Sequence, residues 1–539
     1  MKLPAPLTAF AILLLAHPAL AQDPPAAPAD PPNRIDFTPN PRYTVFDGPL
    51  REDGTIDYVA AVNEQLRATV KPEDNAYRAM FLLMRRPGED AFFMGQSAYD
   101  AVKAKLQFLD EELEQSPQIV SWYEYAADKG FGEEDRYEIE SHAYDMDYTH
   151  AGSDVFVQWL ADQQAALERL AEAVRLPSYW APVIENPHES AAGAFRGTHG
   201  LGDMRRFART LEHRIFWSIT HGQQDQVVRD FETVFLLAER ISRGVTLVES
   251  LVAISIEALA IDTLHQVLMQ GKLDPAHTAV VLSSWVDRDA LRSPSESIRF
   301  GERVYMLDAL LAIAVGRVDQ VTIFGLQEVD ASELDAAIRD IGVNLDDGIE
   351  RLSRHVTVQA ATLVAPTYSA YQRIQGLRKV EHLDRFKNLE EKHFIEDQDG
   401  NELLDINTAL MDREALTELF VDLLYARVAA ANVAAGRTWF QFQSRLAVAQ
   451  ASLACVTYQL EHGRYPGSLN DLVPNYLSQA PTDPMDGESL RYRVEADGTA
   501  VVYSIFTNLQ DDGGTADMDD WSAVKDGDYV WRLTPPEAE

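Results

Sequence analysis

From about Asp57 to Arg445 the sequence places apolar residues three and four apart, with Gly or Pro at the breaks. That spacing commits most of the chain to long packed helices. The clearest pair runs through Leu201, Met204, Phe207, Leu211, Ile215 and Ile219, turns at Gly222, and resumes at Val227, Phe231, Val234, Ala238 and Ile241 before Gly244. So short a turn makes the two helices antiparallel neighbours. A third helix, from Thr246 to about Gln270, carries Leu247, Val248, Leu251, Ile254, Leu259, Ile261 and Leu264 on most of its sides. A helix apolar nearly all round belongs in the middle of a bundle. Gly271 stops it, and Asp274 as N-cap with Pro275 at the first helical position starts the next.

Helical segments also precede this group, at Pro72 to Met84 and Ser153 to Tyr179, separated by polar stretches such as Gly130 to His150. The hairpin lengths resemble tetratricopeptide-like solenoid repeats, but no residue signature recurs at a period of about 34. The expected fold is therefore mainly α, a multi-helix bundle with an irregular helical-hairpin solenoid as the alternative, followed by a small C-terminal α+β module. An acidic turn at Asp397-Gln398-Asp399-Gly400 marks a boundary before the last long helix. The expected divisions are an N-terminal helical region at 41–200, a bundle at 201–410, a long helix at 411–462 and a tail at 463–539.

The N-terminus reads as an export signal. Lys2 supplies a positive start, Leu7 to Ala16 a short apolar run, and Ala19-Leu20-Ala21 a small-x-small cleavage box, so residues 1–21 form a signal peptide and Gln22 begins the mature chain. The apolar run falls short of the roughly 20 residues a membrane span needs, and no later stretch is long and charge-free enough. Residues 22–40, rich in Asp, Pro and Ala at their start, form an extended tether. The expected address is periplasmic or extracellular, with no transmembrane segment after cleavage.

Charge narrows the partners. Asp+Glu total 85 against 47 Lys+Arg in 539 residues, a net charge of −38. A field of that sign repels phosphate backbones, so nucleic acid is excluded as an expected partner, and an unknown envelope protein remains. Cys455 is the sole cysteine, so no intramolecular disulfide braces the exported chain. Packing, helped by a bound cation, must supply the stability.

Beyond about Arg445 the pattern changes. A helix holding Leu446, Leu453, Val456, Tyr458 and Leu460 ends at His462-Gly463, where glycine suits a left-handed cap. Then come Arg464-Tyr465-Pro466-Gly467-Ser468-Leu469-Asn470-Asp471-Leu472 and Pro481-Thr482-Asp483-Pro484-Met485-Asp486-Gly487. Alternating strands follow at Leu490 to Val494, Ala500 to Ile505 and Tyr529 to Leu533. This order resembles the globular domain of the major pseudopilin of type II secretion systems, over roughly the last 95 residues. A pseudopilin starts with a prepilin cleavage site and a continuous apolar helix, which this chain replaces with a signal peptide and a bundle, so it is not expected to polymerise. The body is similar to exported bacterial proteins of unknown function that carry such a tail.

The resemblance implies a calcium ion in the loop from Ser504 to Asp517. Asn508 stands where the family has Asp, Asp511 or Asp512 covers the next acidic position, and Ala516-Asp517-Met518 matches its Ala-Asp-apolar segment. Oxygen donors on a Gly-turned loop suit a hard cation. Asn in place of Asp removes a charge, and one extra residue shifts the spacing. The plain alternative is a solvated acidic turn beside Asp519 and Asp520.

Other polar groups compete for attention. Glu138, Glu140, His142, Asp145, Asp147 and His150 crowd one stretch and are residue types that ligate zinc, although no His-Glu-x-x-His spacing occurs and a solvated acidic surface is the plainer reading. His188, Glu189, His199, His213 and His221 flank a loop with Gly193, Gly197, Gly200 and Gly202, which lines a pocket or merely connects helices. Glu249, Glu257, Asp262 and His265 interrupt the most apolar helix; an exposed edge of the bundle accounts for them. Ser522 and Lys525 match S-x-x-K by letter, without the accompanying motifs. The leading expectation is an exported, non-catalytic envelope protein, a helical scaffold or binding module with a calcium-stabilised tail. The rival is a periplasmic or secreted hydrolase using Asp, Glu and His residues of region 130–202, since paired carboxylates need no short motif.

Overall fold

Tyr58–Arg67 (α1), Ala76–Phe81 (α2), Gln96–Leu106 (α3), Asp110–Glu114 (α4), Trp122–Asp128 (α5), Glu133–Tyr144 (α6) and Ser153–Ala173 (α7) form the N-terminal part of the protein. In this computed structural model the described residues are 38–86, 96–184, 200–270, 273–286, 290–315, 344–364, 394–396, 402–404, 412–515 and 527–533. The expected Pro72 to Met84 helix is shorter: a 3-10 turn at Pro72–Asp74 precedes α2, whose first turn is capped by the Asn75 side chain. The stretch from Gly130 to His150, expected to be a polar separator, contains the helix α6, whose buried residues are Ile139 and Ala143.

The helices read from periodicity form where the spacing put them. Leu201–Thr220 (α8) and Gln224–Ser242 (α9) are antiparallel partners joined at Gly222, whose φ of 68° is the left-handed conformation such a turn requires. Leu247–Met269 (α10) packs against both. Pro275–Val286 (α11) starts as expected, with the His277 amide donating to Asp274 Oδ1 at 3.0 Å. Arg303–Ala314 (α12), Leu345–Val364 (α13) and the 50-residue Arg413–His462 (α14) complete the helical body. Because α10 touches α8, α9 and α14, it is a central rod of a bundle, and its faces bury Val252, Ile256, Ile261 and Leu264 alike. No helix among the described residues is long and apolar enough to cross a membrane.

Two short strands, Phe394–Glu396 (β1) and Glu402–Leu404 (β2), pair antiparallel. The helix α14 ends at Gly463, φ 70°, and the chain continues into the tail sheet. Arg491–Val494 (β3), Ala500–Ser504 (β4) and Tyr529–Leu533 (β5) form an antiparallel sheet in that order, with β4 in the middle and buried at all five positions. The fold is thus mainly α with a small antiparallel sheet near the C-terminus.

The sheet is fastened to the body. A contiguous apolar core runs from Ile56 to Leu533, so tail and bundle share one interior. Arg445 on α14 pairs with Asp262 on α10 and lies 5.5 Å from the Tyr529 ring. His265, one turn further along α10, has its ring 4.6 Å from that of Trp531, which is fully buried. His265 therefore packs on the tail, whereas Asp262 pairs with Arg445 and stays exposed, as an edge of the bundle was expected to be.

Candidate functional site

Helix α6 opens with Glu133, Glu134 and Asp135 in its first turn, where carboxylates favour the positive end of the helix dipole. Helical spacing then sets Glu138 and His142, four apart, on one face. The chain leaves α6 through Met146, whose φ of 56° turns it back sharply, and so returns His150 to that same face. The His142 and His150 rings stack at 4.0 Å and 11°. His150 Nε2 lies 3.3 Å from Glu138 Oε1, and His142 Nδ1 lies 3.3 Å from Asp147 Oδ2. One ligand atom from each of Glu138, His142 and His150 falls within 4.8 Å of the others. Asp147 is itself fixed, accepting from the Thr149 hydroxyl at 2.6 Å and amide at 3.0 Å, which hold its carboxyl below the usual range.

The other residues of that polar stretch go elsewhere. Glu140 faces the interior and reaches His213 Nε2 on α8 at 3.2 Å. Burial alone would raise its pKa; the hydrogen bond and charge of His213, with Tyr123 and Arg209, outweigh burial and lower it. Asp145 caps the end of α6 through its backbone. His213 is a buried structural partner, packed among Tyr144, Phe156 and Trp159. His221 instead lines an open groove of about 590 Å³ with Tyr148, Thr149, Asp154, Gln158 and Trp217, beside the histidine pair. Of the flanking loop, His188, Glu189, Gly193, Gly197 and His199 lie outside the described residues.

The carboxylates of α10 correct a second expectation. Glu249 and Glu257 are fully buried, while Asp262 on the same helix stays exposed. Glu257 accepts from Trp285 Nε1 at 3.1 Å. Glu249 closes a capping box: its Oε2 accepts from the Thr246 amide and hydroxyl, both at 2.9 Å. A Cβ at Gly244 would lie 2.2 Å from that carboxylate, which is why glycine stands there.

Burial pushes the Glu249 carboxyl up to about 7, against the Thr246 hydrogen bonds that lower it. The folded state then holds a proton that the unfolded chain releases above about 4.3. This contribution to stability is complete below that value and is lost as pH rises through about 7. Glu249→Gln should therefore cost more at pH 5 than at pH 8, by on the order of 3 kcal/mol. Parallel melting-temperature profiles for variant and wild type from pH 5 to 8 would refute this.

In the tail loop, Asn508 Oδ1 accepts from the Gln510 amide at 2.9 Å, and its side-chain nitrogen donates to Asp512 Oδ2 at 2.6 Å. Asp511 Oδ1 accepts from the Tyr503 hydroxyl and the Gly513 amide, both at 3.0 Å, with Arg491 Nε 3.7 Å from its other oxygen. Asp517, Ser522 and Lys525 lie outside the described residues.

A residue the sequence reading passed over joins this loop. Asp528, just before β5, is fully buried; its Oδ2 accepts from the Gly514 amide at 2.7 Å, while its Oδ1 is buried without a hydrogen-bond partner. Burial raises its pKa, and the nearby Asp512 and Asp511 charges add to that. A half-satisfied buried carboxylate beside two further carboxylates is a donor set that fits a hard cation. The signal available was the run Asp526-Gly527-Asp528 next to a strand.

No family model, no curated protein and no solved structure matches the chain, so its functional reading rests on the chemistry of these sites.

Proposed function

We propose that the protein is an exported, non-catalytic scaffold or binding module of the cell envelope, periplasmic or extracellular, whose calcium-braced tail closes the helical body. The observation that carries this reading is the shared core: Trp531 and Tyr529 of the tail sheet lie against His265 and Arg445 of the body. The polar residues of the body support it too. Glu140 with His213, Glu257 with Trp285, and Asp230 with Arg214 are taken up in pairs that join elements. An unknown envelope protein is the partner class that an acidic surface of this kind suits, and nucleic acid is not.

Asn508, Asp511, Asp512 and Asp517, as the pseudopilin likeness implies, would hold the calcium ion together with Asp528. The ion supplies a fixed positive charge that relieves repulsion among carboxylates, and it links the loop to the start of β5. Thermal melting of the full-length protein tests this. A hundredfold excess of calcium over its Kd should add about 2.7 kcal/mol. The midpoint should rise relative to chelator in the wild type and stay unchanged in Asp517→Ala and Asp528→Asn. Equal wild-type midpoints in calcium and chelator would remove the ion from the reading.

A secreted hydrolase is the second reading, favoured by the convergence of Glu138, His142 and His150 beside an open groove. Turnover of an ester, peptide or glycoside by the purified chain, abolished by His142→Ala, would put this reading first.

A further inference from the structure

We propose that Glu138, His142 and His150 form a binding site for a divalent transition-metal ion of the zinc class, separate from the tail loop. Three features of the cluster carry the assignment.

Its donor set is mixed. Two imidazoles and one carboxylate match borderline ions such as zinc, whereas calcium and magnesium take oxygen ligands throughout. Three protein ligands are also the number found where a fourth position is left for water.

Its geometry is held from outside. The Asp147 carboxylate sits 3.3 Å from His142 Nδ1, placing that proton on Nδ1 and leaving the Nε2 lone pair for a metal. Asp147 is in turn held by the Thr149 hydroxyl and amide. His150 Nδ1 is buried and without a hydrogen-bond partner, so Nε2, 3.3 Å from Glu138, is the nitrogen its setting presents outward.

Its apo state gains little. An exposed carboxylate beside the stacked imidazoles contributes only about 0–1 kcal/mol. A cation shared by all three would add coordination bonds that these contacts lack. The site is also reachable, since the Glu138 side chain is 62% exposed while the two imidazoles are about one-third exposed or less.

The test uses the full-length protein in excess calcium, which fills oxygen-rich sites and leaves the histidine pair unoccupied. Cobalt(II) is added as a spectroscopic stand-in, then displaced with zinc. We expect a single equivalent of cobalt with the intense visible absorption of a four-coordinate ion, abolished by zinc. His142→Ala and His150→Ala should lose that absorption, and Asp147→Asn should weaken uptake by about 10- to 100-fold. The calcium-dependent melting of the full-length protein should be unchanged in all three, which separates loss of the site from loss of the fold. His150→Gln, which keeps the ring's volume more closely, should lose uptake as alanine does. Absence of stoichiometric uptake in the wild type, or uptake that survives in the His142→Ala/His150→Ala double variant, would overturn the proposal. So would four-coordinate absorption abolished by Asp517→Ala, because it would assign the ion to the tail.

Discussion

Gly301→Ala should destabilise the protein by about 3 kcal/mol or more, at the upper end of what overpacking costs. Gly301 lies in a π-helical segment, Ile298–Glu302, that leads into α12. A Cβ there would stand 1.9 Å from the Val245 carbonyl oxygen and 2.9 Å from its carbon. Those are backbone atoms of the segment that caps α10, so neither side can relax by changing a rotamer. Either the π-helical segment moves off the central helix or the cap opens, and both expose apolar surface. Gly348, within α13, is the control: its added methyl would meet only side chains at 3.5 Å or beyond. There Gly→Ala should be neutral or gain about 0.5–1 kcal/mol from helix propensity. Denaturant midpoints for the two variants check the contrast, and a Gly301→Ala midpoint equal to the wild type would show that the close approach does not exist in solution.

Trp531→Ala should cost about 3–5 kcal/mol, the usual loss for a fully buried aromatic. Its indole donates to the Tyr529 hydroxyl at 3.1 Å, and its ring rests 4.6 Å from that of His265. More telling than the size is where the loss is felt. Because tail and bundle share an interior, the variant should lower the unfolding of helix and sheet together, in one transition followed by far-ultraviolet circular dichroism and tryptophan fluorescence. A variant whose tail melts early while the helices keep the wild-type midpoint would mean that the sheet is a separate unit, and the scaffold reading would lose its main support.

The helices around Gly222 were legible because two independent signals agreed: apolar residues three and four apart, and a glycine at the turn. The strand Tyr529–Leu533 was legible for a similar reason, and its observed limits are those expected. Helix α6 was not, since it buries only Ile139 and Ala143 and is charged or polar over most of the rest, which leaves no amphipathic stripe to read. Burial of Glu249 and Glu257 escaped because their partners, the Thr246 cap and Trp285, supply polar contacts inside an apolar setting. At the histidine cluster the residue types were visible in the sequence. Their convergence was not, because it depends on the backward turn at Met146. Asp528 escaped for a different reason: the pseudopilin likeness drew attention to the loop before it.

Helix α14 also has a mechanical meaning. Fifty residues at 1.5 Å each make a rod about 75 Å long that leaves the bundle and enters the tail without a joint. It packs along α10, α11 and α13 before it meets β4 and β5. A pull on the tail along that rod loads many side-by-side contacts at once, in shear. It cannot unzip them one by one from an end. Load applied to the C-terminal sheet along that rod is therefore shared across the bundle.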